Sequence, residues 1–167
     1  MFLQLMKRLG EADALDPAVR TAEPLAARLI AEPRLRRFFH GDATGIPPHV
    51  ILTDVPFGAW FMAMFLDFFP DDGSRRAARR LVGLGVLAAA PTGLSGWAEW
   101  ARADTATRRI GVVHAAANLA ATLIFLASWR ARRKDRHRLG VRLARAGAVL
   151  LIVGGFLGGY MRSVRRS

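Results

Sequence analysis

Ile110–Trp129 reads IGVVHAAANLAATLIFLASW, twenty residues without a single Asp, Glu, Lys or Arg. At about 1.5 Å of rise per residue, a helix of that length crosses the roughly 30 Å hydrocarbon core of a bilayer. His114 and Asn118 interrupt the apolar run one helical turn apart. Polar side chains are costly at that depth, so they face protein rather than lipid and are functional candidates.

Outward from this stretch, the charges of the chain are blocked. The averages, 52% hydrophobic and 23% charged, resemble those of a soluble domain. Yet Leu81–Ala98 and Ala146–Met161 also lack charge, and Val55–Leu66 lacks it between Asp54 and Asp67. The pattern predicts four spans, at about 50–69, 81–99, 110–129 and 143–161. The first must borrow Ile51, Leu52, Phe68 and Phe69, which places Asp54 and Asp67 near opposite interfaces. The fourth needs Arg142 and Arg145 to snorkel toward headgroups. The fold class is therefore all-α: an integral membrane four-helix bundle over residues 46–163, preceded by an N-terminal amphipathic helical extension over 1–45. Within the extension, Asp16-Pro17 and Glu23-Pro24 look like helix starts. Leu25, Leu29 and Ile30 suit an interfacial face, and His40–Pro48 reads as a loop.

The net charge is +12, from 25 Lys and Arg against 13 Asp and Glu. The basic residues cluster at span ends, as in Arg75, Arg76, Arg79 and Arg80, and in Arg130, Arg132, Arg133 and Lys134. There they meet lipid headgroups, which makes the lipid bilayer the partner. No run interleaves aromatic and basic residues as a stacking platform does, so no nucleic acid is expected. The absence of cysteine excludes disulfides and thiolate-ligated clusters within the chain. Lys7 and Arg8 follow the first apolar residues instead of preceding them, which is unlike a signal peptide.

Alternating spans bring His49, Ser95, Glu99, His114 and Tyr160 to one membrane side. His49, Thr53, Pro56, Trp60 and Asp67 share a face of the first span, and Thr92, Ser95, Gly96 and Glu99 share one on the second. Three chemistries fit such stripes. Two imidazoles from different helices supply both axial ligands of haem b, with Arg108 or Arg109 facing the propionates. With Glu99 or Asp54 they hold a metal ion or relay protons. Alternatively, His114 and Asn118 only hydrogen-bond between helices. The candidate cofactor-binding residues are thus His49, His114, Asn118, Asp54, Glu99 and Tyr160, and the candidate metal ligands are His49 and His114. Gly154, Gly155, Gly158 and Gly159 form two overlapping GxxxG pairs, for close packing inside the bundle or for a homodimer seam.

Gly45–Trp60 (GIPPHVILTDVPFGAW), Gly96-Trp97, Arg109–Asn118 (RIGVVHAAAN) and Gly154–Gly159 (GGFLGG) together resemble the domain of unknown function 2231 family. Its members are uncharacterised bacterial four-span membrane proteins, some joined to a Rieske iron–sulfur domain. The resemblance covers about residues 40–163 and implies a multi-pass protein of the bacterial plasma (inner) membrane. By association it implies redox work, with a separate Rieske or other redox protein as partner. The family pattern carries a histidine after the first glycine and another near the end of the fourth span, where this chain has Ile46 and Tyr160. His49 and His114 match the remaining two, so only a site built on that pair survives. Two functions follow: a cofactor-binding electron-transfer subunit using His49 and His114, or a non-catalytic membrane anchor whose polar residues lock the helices.

Overall fold

The computed structural model describes residues 1–164, which form helices joined by turns and contain no strand. In chain order the helices are α1 (Phe2–Gly10), α2 (Asp16–Leu29), α3 (Pro33–His40), α4 (Pro48–Leu52), α5 (Asp54–Leu66), α6 (Asp72–Trp100), α7 (Thr105–Arg133) and α8 (His137–Val164). Four stretches are long and apolar enough to cross a membrane: Pro48–Leu66, α6, α7 and α8. The all-α membrane fold and its four spans are as the charge pattern predicts.

Local chemistry sets the helix ends. Asp71 accepts from the Ser74 N–H at 2.9 Å at the start of α6, and Asp104 accepts from the Thr107 N–H at 2.8 Å at the start of α7. Each carboxylate satisfies a donor that a helix terminus leaves open. The first span is not one helix but two, broken at Thr53. Pro56 is the cause: it has no N–H for the carbonyl of Leu52, four residues back. The Thr92 hydroxyl on α6 lies 3.0 Å from the Leu52 oxygen and 2.8 Å from the Ala88 oxygen, so its one proton is shared between the two carbonyls.

The chain divides into two compact units. One unit holds residues 51–92 and 117–152. In it α5 and the adjoining lengths of α6, α7 and α8 pack around a core that includes Trp60, Val82, Phe125 and Leu151. Trp60 stacks on Phe125 with ring centres 4.1 Å apart and planes 4° from parallel, and its Nε1–H donates to the Val82 carbonyl at 3.2 Å. The four-helix packing expected from the spans is found here. Asp67, just past α5, takes two bonds of 2.6 Å from the Arg132 guanidinium. Arg132 belongs to the cluster expected at the headgroups, but its side chain is 1% exposed and that of Asp67 is 3% exposed. This carboxylate neutralises the guanidinium away from solvent, while Ser128 Oγ lies 3.3 Å from its Nε.

The other unit holds Met1–Val50, Gly93–Ala116 and the chain from Val153. Met6 of α1 packs with Ile110 of α7 and Leu157 of α8, while Val19 and Ala26 of α2 pack with Trp100. The helical extension expected over residues 1–45 is thus docked by its own apolar side chains. Glu23-Pro24 does not start a second helix, since α2 runs through Pro24 to Leu29. Pro24 and Arg20 both lie on its exposed side, away from the packed face of the helix.

Candidate functional site

The unit containing the N-terminus collects the polar residues predicted for one membrane side: His49, Ser95, Glu99, His114 and Tyr160. His49 sits in the first turn of α4, delivered there by Pro47 and Pro48. Its Nδ1 lies 3.3 Å from the Oγ of Ser95, a buried residue of α6. One residue on, Gly96 leaves the space the ring needs: a Cβ there would stand 2.9 Å from His49 Cε1.

His114 is held in the same manner. Its Nδ1 is 2.8 Å from the carbonyl oxygen of Gly154 on α8. A carbonyl only accepts, so the proton is on Nδ1 and the Nε2 lone pair points the other way. Gly158, one turn along α8, makes room for this ring, since a Cβ there would stand 3.0 Å from His114 Cε1.

The other predicted residues are placed as follows. Glu99 is half-buried on α6, one turn beyond Ser95. Tyr160 joins the cluster of Met6, Ile110 and Leu157, with its ring edge-on to Phe2 at 6.3 Å, so it serves the docking of α1. Asn118 and Asp54 belong to the other unit. Asn118 is half-buried, and its backbone carbonyl accepts from the Thr122 hydroxyl at 2.8 Å. Asp54 is exposed at the start of α5. The Gly154 carbonyl and the Gly158 notch were not legible as parts of a site. The GxxxG spacing flagged close packing without saying that an imidazole does the packing.

Arg108 and Arg109 do not wait for propionates. Arg109 binds Asp16 through both carboxylate oxygens at 2.7 and 3.0 Å, reaches Asp13, and donates to the Gly10 carbonyl at 3.1 Å. Arg108 pairs with Glu23 at 2.6 Å, donates to the Ala101 carbonyl at 2.7 Å and lies over the Trp100 ring. Both guanidiniums are committed to the N-terminal extension, because its three carboxylates supply the charge that offsets theirs. The Arg109 hydrogen bonds hold the Asp16 carboxyl below the usual carboxylate range.

Among the described residues there is no group of three or more His, Cys, Asp or Glu arranged to hold a metal ion. A structural tetrahedral centre takes four protein ligands and does not fit. Two imidazoles from different helices, each with Nδ1 engaged, are a donor set of the kind that would hold a haem iron.

This is an all-α integral membrane protein with four membrane-capable helices and a helix-locked histidine pair. The chain belongs to the family described as "Predicted membrane protein (DUF2231)", whose model matches residues 45–166. No curated protein and no solved structure matches it.

Proposed function

We propose that the protein is a membrane subunit that holds a redox cofactor, haem b or a metal ion, on His49 and His114. The observation that carries this reading is that both rings are pinned through Nδ1, to Ser95 and to Gly154. A ring pinned through Nδ1 is held in one orientation, as ligating histidines usually are, and the Gly154 carbonyl also sets the tautomer of His114. The bound group would supply one-electron chemistry. The chain's own part is to orient the rings through Ser95 and Gly154, with Glu99 of the same unit as the supporting polar group that exchanges protons. The subunit's partner would be a separate Rieske or other redox protein in a bacterial plasma membrane.

The test is an absorption spectrum with metal analysis of the detergent-extracted protein, expressed with ample haem and iron. A Soret band or bound metal is expected, lost in both His49→Leu and His114→Leu. A wild-type protein with neither overturns the reading.

A second reading, a non-catalytic anchor or assembly partner, is favoured by the 2.8 Å bond that ties His114 on α7 to Gly154 on α8. It expects His114→Leu to lower thermal stability and leave the spectrum unchanged. Under either reading a homodimer would use Gly155 and Gly159. They face outward, whereas Gly154 and Gly158 are taken up by His114.

A further inference from the structure

Eight residues ahead of the first span, α3 reads Pro33-Arg34-Leu35-Arg36-Arg37-Phe38-Phe39-His40 and contains no acidic residue. At about a hundred degrees per residue, Leu35, Phe38 and Phe39 fall on one face, with Arg34, Arg36, Arg37 and His40 around the rest. In a soluble protein such an apolar face is buried against a neighbour. Here no residue of α3 is buried: Leu35 is 48% exposed and Phe38 is 61% exposed. The helix is nevertheless well made. Glu32 caps its start, accepting from the Leu35 N–H at 2.8 Å. Gly41 ends it in the left-handed conformation, with the Asp42 N–H bonded to the Arg37 carbonyl and the Gly41 N–H to that of Phe38, each at 3.0 Å. A formed amphipathic helix with an uncovered apolar face is thus fixed in place.

We infer that α3 is an interfacial helix that binds the headgroup layer of an anionic bilayer. Leu35, Phe38 and Phe39 enter the acyl boundary, and Arg34, Arg36 and Arg37 contact lipid phosphates. Three observations point to a lipid surface as the occupant. Only seven residues, 41–47, separate α3 from the first membrane-capable helix. At most about 3.5 Å per residue, they keep it within roughly 25 Å of the bilayer. The turn they form is tighter still, since a Cβ on Gly41 would stand 2.2 Å from the Ile46 carbonyl oxygen. Lastly, three arginines with no acid among them complement an anionic surface, and this arrangement of charge and apolar side chains is that of a helix lying in the interface plane.

The chain has no cysteine, so one introduced residue can be labelled cleanly. Full-length Leu35→Cys carrying an environment-sensitive fluorophore is placed in lipid nanodiscs that contain a phosphatidylcholine with a quencher on its acyl chain. Discs with and without phosphatidylglycerol are compared. Quenching is expected to be several-fold stronger with phosphatidylglycerol, and to fall to the neutral-lipid level in R34Q/R36Q/R37Q or in high salt. A fluorophore that stays water-exposed in both lipids overturns the inference. So does one shielded from aqueous iodide but not quenched from the lipid, which means a protein covers the face. Equal quenching in both lipids, insensitive to the arginine changes, overturns the anionic recognition. Arg37→Cys, labelled in the same way about 160° around the helix from Leu35, is expected to stay unquenched throughout.

Discussion

His49 and His114 share a device that recurs at several points in the chain: a ring laid into the gap of a glycine on a neighbouring helix. Trp60 uses it at Gly85, where a Cβ would stand 2.3 Å from Nε1. Trp60 is 1% exposed and stacked on Phe125, so it has nowhere to move. Gly85→Ala is therefore expected to destabilise by about 1–3 kcal/mol, the usual cost of overpacking, as read from denaturant unfolding in detergent. Gly96→Ala meets a softer neighbour, the His49 ring edge at 2.9 Å. Its expected effect is displacement of the imidazole, seen as a changed His49 NMR signal with little loss of melting temperature. The Asp67–Arg132 pair is a different case, because neither charge reaches solvent. Removing one partner strands the other, so Asp67→Asn is expected to cost about 3–5 kcal/mol, and the double change Asp67→Asn/Arg132→Gln less than either alone. Equal costs for the single and double changes would sink the idea that the stranded charge is responsible.

Among the elements, the broken first span is the most informative. The break follows from Pro56, and the Leu52 carbonyl it leaves open is served from α6 by Thr92. Thr92→Val is expected to lower stability by about 1 kcal/mol, within the range measured for hydrogen bonds between membrane helices. In a Pro56→Ala background, where the backbone N–H returns, the same change should cost much less. A double-mutant cycle with no coupling would show that the two are unrelated. The turn from α7 to α8 rests on Asp135 at a positive φ of 56°. Glycine takes that conformation without strain, so Asp135→Gly is expected to raise stability by up to about 1 kcal/mol in the same unfolding assay.

At the scale of the molecule, the N-terminal extension is held by ionic bonds as well as by apolar packing. Asp16 is held low by Arg109, so its carboxylate is more stable in the folded protein than in the unfolded chain. A depressed folded pKa contributes stability above the unfolded value, about 3.9, which is lost as pH falls through the folded one. Exchange of the α1 and α2 amides is accordingly expected to accelerate below about pH 4. Arg109→Gln should produce the same release at neutral pH, and a variant whose exchange keeps the wild-type profile would refute the clasp.

Much of this protein was written in its charge spacing. Twenty uncharged residues at 110–129, with similar runs on either side, admit no water-soluble arrangement, so the four membrane-capable helices and the all-α class follow from sequence alone. Alternation of the spans likewise gathered His49, Ser95, Glu99, His114 and Tyr160. Hydropathy assigns depth, however, and depth does not say which neighbour a side chain meets. Arg132 read as a headgroup arginine and Arg109 as a partner for propionates, yet one is buried on Asp67 and the other grips Asp13 and Asp16, more than ninety residues away in sequence. The tautomer of His114 was equally out of reach, because it is set by one carbonyl on α8. Composition alone places the apolar helices, since burial in lipid depends on hydropathy over a window. Only the tertiary structure decided which donor meets which acceptor, since a hydrogen bond depends on ångströms and angles between residues far apart in the chain.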